Sequence, residues 1–311
     1  MVLRRPILAT LALLGAAATL AGVAIADDSG PGSIAAETLI FTGLNGQSRD
    51  LFLQSLDGAP VALTDDAFLD GEAIFSPDGE QIAFVSDRAG SLDVWVMQAD
   101  GRDARRLTTD AASEVSPAWS PDGDRIAFVS DREGDRTNIF VVAVESGVVS
   151  QITFQERGLA FLDWSPDGAS IAYSAAGADN ASDPELTPLE LVVIPAAGGE
   201  VRVLEDGAGW NWGAAWSPDG LSLAFSWTPP GVAATDVAWL QIINADGTGL
   251  RRLQQGSWAD YAPAWSPDGE RIAFTSTRGG FPQVHLWDLR TDAVELALGG
   301  QLAFDPSWAP N

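Results

Sequence analysis

Residues 119–134 read WSPDGDRIAFVSDREG, and the same phrase returns as FSPDG at 75–79, as WSPDG at 164, 216 and 265, and as a worn copy, WAPN, at 308–311. An active site needs its carboxylate once, whereas a scaffold needs the same turn many times, so the recurrence points to architecture rather than catalysis. The residue types suit a type I turn: Ser opens it, Pro supplies a fixed φ, Asp follows, and Gly takes a positive φ. Asp78, Asp122, Asp167, Asp219 and Asp268 are therefore expected to stabilise their own turns.

Aligned on the opening aromatic, the copies begin at Phe75, Trp119, Trp164, Trp216, Trp265 and Trp308, at intervals of 43 to 52 residues. That period belongs to four-stranded propeller blades. Each turn is followed by an apolar run such as IAFVS from 126, then by a second such as NIFVVAV from 138, then by a third ending in Leu-Thr or an equivalent. With the segment leading into the aromatic, each period holds four strands. The ends complement each other. LIFTG from 39, DLFLQS from 50 and PVALT from 60 match strands two to four without a first, while LAFDPSWAPN matches a first strand without successors. The expectation is an all-β fold, a six-bladed β-propeller of four-stranded antiparallel blades, with the last blade closed by both termini so that no sheet edge stays open.

Repeats of the form WSPDGxxIAFxSxRxG resemble those of TolB-type propellers, the Pro-Asp relatives of the WD repeat, over about residues 38–311. The resemblance implies the propeller fold and an interaction role in the cell envelope. TolB itself carries a further domain before its propeller. Here residues 27–37 form only a short linker between residues 1–26 and the first strand.

Residues 1–26 have a positive start, MVLRRP, then a 20-residue run without charge and an Ala24-Ile25-Ala26 cleavage pattern. They read as a signal peptide, or as an uncleaved anchor that would be the only membrane attachment. The protein is expected to be exported, to the periplasm or beyond.

The chain has 43 acidic residues against 17 basic ones, all arginine, for a net charge of -26. Such a field repels phosphate backbones and anionic lipids, so nucleic acid is not an expected partner. No Cys and a single His, His285, leave no thiolate nucleophile and no His-rich zinc site. A Ser-His-Asp triad has only that His to draw on, inside a strand-three pattern, and no G-x-S-x-G elbow accompanies it. No catalytic residue, metal ligand or cofactor is assigned, although a channel-bound cation stays open. Arg88, Arg132 and Arg278, which follow the second strand, are expected to pair with acids across the blade edge.

Antiparallel strands put SPDG and the short ADG turns on one face and every irregular loop on the other. Loop variation on one rim of a rigid ring is where function resides. The candidate ligand-binding set there is Phe68, Phe161, Asp163, Trp210, Trp212, Trp258, Asp260 and Tyr261, with Asp66, Asp70 and Glu156 interleaved. Asp163 stands out because the residue before the aromatic is otherwise small or apolar. These types suit an envelope or extracellular protein segment, bound without catalysis. The alternative is a carbohydrate-binding or carbohydrate-active propeller that uses the same aromatics and carboxylates.

Overall fold

The repeated apolar runs pair into antiparallel sheets because each alternates residues that pack against the preceding blade with residues that pack against the next. The computed structural model describes residues 24–25, 37–46, 48–134, 136–154, 158–177, 188–206, 209–233, 236–253 and 255–310. Among the described residues there are six four-stranded antiparallel units and no helix. The innermost strands are Asp70–Phe75, Glu114–Trp119, Leu159–Trp164, Trp210–Trp216, Asp260–Trp265 and Ala303–Trp308. Each touches the next, and Ala303–Trp308 touches both Asp260–Trp265 and Asp70–Phe75, so the ring closes after six.

Closure is made by the chain ends. Ala303–Trp308 pairs antiparallel with Thr38–Asn45, Leu39 opposite Trp308, and Thr38–Asn45 continues the sheet to Ser48–Ser55 and Val61–Ala62. Ala24–Ile25 adds a short parallel strand beyond Val61–Ala62. The joint is packed as well as hydrogen-bonded: Leu39, Phe41, Phe52, Val284, Leu286 and Trp308 share one buried cluster between the blade that begins at Asp260 and the closing one.

The turn residues behave as their types dictate. Ser76 Oγ donates to Asp78 Oδ1 at 2.5 Å, and the same oxygen accepts the Glu80 amide at 3.0 Å. Ser120 and Asp122, Ser165 and Asp167, Ser217 and Asp219, and Ser266 and Asp268 repeat the pair. In all five the serine hydroxyl holds the aspartate below its usual carboxylate range. The glycine that ends each turn donates to the serine carbonyl and sits at positive φ, 72° at Gly79 for instance. These carboxylates are committed to the scaffold.

The opening tryptophans fasten blade to blade. Indole Nε1 of Trp119, Trp265 and Trp308 donates to the carbonyl of Ile74, Ala215 and Ala264, in each case the residue before the aromatic of the preceding blade. Where Asp163 stands at that position the link changes hands. Its Oδ2 accepts the Trp216 amide at 2.7 Å and its Oδ1 the Trp164 amide at 2.9 Å, so a side chain instead of an indole bridges the blades of Leu159–Trp164 and Trp210–Trp216.

Candidate binding site at the channel mouth

Each innermost strand contains a bulge in which two residues oppose one on its neighbour, as between the Gly71–Val85 and Ile74–Ala83 pairs. The residue three before the opening aromatic takes the left-handed conformation in all six blades. These are Glu72, Ser116, Phe161, Gly213, Ala262 and Asp305, with φ of 51°, 53°, 53°, 68°, 51° and 49°. Such a φ is uncommon outside glycine, and here it recurs six times around one axis. All six residues line the same central cavity, of about 350 Å³, which begins at Leu69 and Leu92 on the loop-rich face and reaches down the channel to Ile74 and Ser307.

One side of this cavity is aromatic. Phe161 and Trp212 lie 5.9 Å apart between ring centroids, Trp212 stacks on Tyr261 at 5.8 Å, and Phe304 joins them at the wall. Trp212 and Tyr261 are only 5% and 6% exposed, and Trp212 Nε1 donates to Thr228 Oγ1. The sequence places these two on the loop-rich rim, and the structure buries them in the wall of the channel cavity. Burial, with Asp305 nearby, pushes the Tyr261 phenol above its usual range, so it stays protonated.

The other side is acidic. Glu72 accepts the Ser116 amide at 2.6 Å from the neighbouring blade, and burial, reinforced by the Asp305 carboxylate, raises its pKa to about 7. Burial likewise raises Asp305, while Arg49, beside the Phe304 ring at 5.8 Å, lowers both. Asp163, deeper in the ring, is pushed up by burial to about 7 against the lowering effect of its two amide donors.

The remaining candidates are spread out. Trp210 begins the inner strand Trp210–Trp216 and shares a cluster with Phe161 and Leu189. Phe68, 41% exposed, stands on the loop between the closing blade and the next. Trp258 and Asp260 are spent on each other: Trp258 Nε1 donates to Asp260 Oδ2 at 3.0 Å, and Ser276 and Arg278 also donate to that carboxylate. Asp66 and Asp70 share Arg88, at 3.0 and 2.5 Å, and with Asp50 they bring carboxylate oxygens within 4.8 Å of one another. Glu156 lies outside the described residues. His285 is buried in a third strand, where burial lowers its pKa.

Glu72, Arg49, Phe304 and Asp305 are not among the residues singled out in the sequence. Reading down the position three before each aromatic, as Asp163 is found one before it, brings out the two acids.

The family model described as the TolB beta propeller domain matches residues 31–186 and 185–311, nearly the whole chain. The chain belongs to the TolB beta-propeller domain family. Among solved structures it is similar to TolB from Acinetobacter baumannii, with 17% identity, a TM-score of 0.71, and coverage of 88% of this chain and 67% of that one. The putative TolB from Agrobacterium tumefaciens gives 23% identity and a TM-score of 0.63, over 74% and 83%. An oligogalacturonate lyase from Vibrio parahaemolyticus gives 16% identity and a TM-score of 0.54, over 84% and 73%. At these identities the likeness is one of fold. This chain resembles both a TolB and a lyase in fold, so its site has to be read from its own residues.

Proposed function

We propose that this TolB-domain ring is a non-catalytic, exported protein-binding module whose partner seats on the loop-rich face over the channel mouth. The carrying observation is where the exposed phenylalanines stand. Phe68, Phe154 and Phe281, at 41%, 79% and 38% exposure, all lie in loops of that one face. Apolar groups that share a face with a cavity mouth are the usual material of an interface core. The leader at residues 1–26 supports export. The turn aspartates and the Arg-paired acids, being engaged in the scaffold, favour a rigid platform over a reaction centre.

The test is capture from an envelope extract by the purified ring, beside a Phe154→Ser/Phe281→Ser double variant of unchanged melting temperature. The wild type is expected to retain a defined protein and the variant to lose it. If the variant keeps every captured protein, or the wild type is retained on a polysaccharide column instead, the reading is wrong.

A further inference from the structure

We infer that the central cavity takes a cationic side chain, a lysine or arginine presented by the bound protein segment. This rests on the protein-binding reading and gives it a ligand chemistry.

The first observation is charge. The charged residues at the cavity wall are Arg49, Asp70, Glu72 and Asp305. Asp70 is held by Arg88. Two carboxylates, Glu72 and Asp305, then face the single lining guanidinium, Arg49. A carboxylate in a confined, poorly solvated cavity is costly without a counter-charge. An entering ammonium or guanidinium supplies it, a neutral group leaves the excess standing, and an anion adds to it. Burial first, and the Asp305 carboxylate second, raise Glu72 to about 7.

The second observation is independent of charge. Phe161, Trp212, Tyr261 and Phe304 furnish four aromatic rings on the wall of the same cavity. Aromatic faces attract organic cations and offer dispersion contact to the methylene stem that carries them, whereas a bare metal ion makes no use of a stem contact. A volume of about 350 Å³ lies at the small end of ligand sites. It fits one long side chain with some flanking backbone, entering past Leu69 and Leu92 from the face that carries the exposed phenylalanines.

The experiment titrates the purified ring with acetyl-Gly-Gly-Lys-Gly-Gly-amide and with its norleucine and glutamate counterparts, to about 10 mM, a range that reaches weak millimolar binding. Readouts are calorimetry and tryptophan fluorescence at pH 8 in moderate salt. The lysine peptide is expected to bind, the norleucine peptide at least tenfold more weakly, and the glutamate peptide not at all. Glu72→Gln and Asp305→Asn are each expected to weaken the lysine peptide about tenfold, and thermal melts identify any variant that fails to fold. Asp246→Asn, an exposed aspartate in a turn of the opposite face, removes the same unit of overall charge and is expected to change nothing.

Equal binding of the norleucine peptide overturns the proposal. So does an equal loss in Asp246→Asn, which would assign the effect to the field of the whole molecule, or Glu72-dependent uptake of Ca²⁺ with no peptide binding. Should the lysine peptide fail while Phe154→Ser/Phe281→Ser still abolishes capture, only the ligand chemistry falls and the protein-binding reading stands. If capture itself survives the double variant, it is that reading that fails.

Discussion

Arg278 places Nη2 2.7 Å from Oδ2 of Asp260, a fully buried acid at the channel-mouth end of its innermost strand. The guanidinium also lies 5.1 Å from the Trp258 ring and 5.3 Å from that of Phe274. Arg132 does the same for Glu114, over Phe128 and Phe140, and Arg88 for Asp70, over Phe84 and Trp95. In all three the arginine follows the acid by 18 residues. Where the acid's place is taken by Leu159 or Asn211, the residue 18 further on is Gly177 or Pro229 and not an arginine. Removing one partner strands a buried charge. Arg278→Ala is expected to cost about 3–5 kcal/mol, read as a lower denaturation midpoint. Asp260→Leu/Arg278→Ala, which copies the apolar choice at Leu159, recovers most of it. The exposed Arg290, by contrast, changes to Ala within about 0.5 kcal/mol.

The turn serine–aspartate pairs lie far from the proposed site. Asp219→Ala removes an acceptor from both Ser217 Oγ and the Leu221 amide. Its expected cost is about 1 kcal/mol, with capture of the partner unaffected. Loss of capture with unchanged stability would mean that the turn face carries function.

The channel acids set a pH dependence opposite in sign to that of the turn acids. Glu72 and Asp163 titrate at about 7 in the folded ring, above their ordinary values near 4. Native and unfolded chains are alike below both values. As pH rises from about 4 to 7 the unfolded chain has given up those protons and the folded ring still holds them, so their contribution to stability is lost across that window. Glu72→Gln is expected to flatten this loss and to raise the melting temperature at pH 8 relative to wild type, by an amount that shrinks toward pH 4. Equal melting shifts at pH 4 and 8 would show that Glu72 is not titrating in that window.

Ring closure predicts a sharp truncation effect. Ending the chain at Leu302 removes the strand that pairs with Thr38–Asn45 and leaves that edge, with buried Leu39 and Phe41, unpaired. The product is expected to elute as aggregate or as edge-to-edge oligomers and to be cut rapidly by protease. A stable monomer of wild-type melting temperature would contradict the closure.

Much of this architecture was legible in the sequence, because SPDG marks one point in every period and the chain ends carry complementary parts of a blade. The channel was not. Alternation along an inner strand predicts which side chains face which neighbour only while the pairing register holds, and the bulge at Glu72, Ser116, Phe161, Gly213, Ala262 and Asp305 resets it. Trp212 and Tyr261 accordingly sit in the wall although loop composition suggested a rim. Asp260 looked available for a ligand because the sequence pairs Arg278 with an acid across the blade edge without singling out which, and Asp260 stands 18 residues away.

The six left-handed positions have a further consequence. A φ near 50° is hard on β-branched side chains, so the channel is written in a restricted alphabet, here Glu, Ser, Phe, Gly, Ala and Asp in order around the axis. The pore chemistry of this ring is therefore set at six sites that belong to neither the SPDG turns nor the hydrophobic cluster at the closing seam.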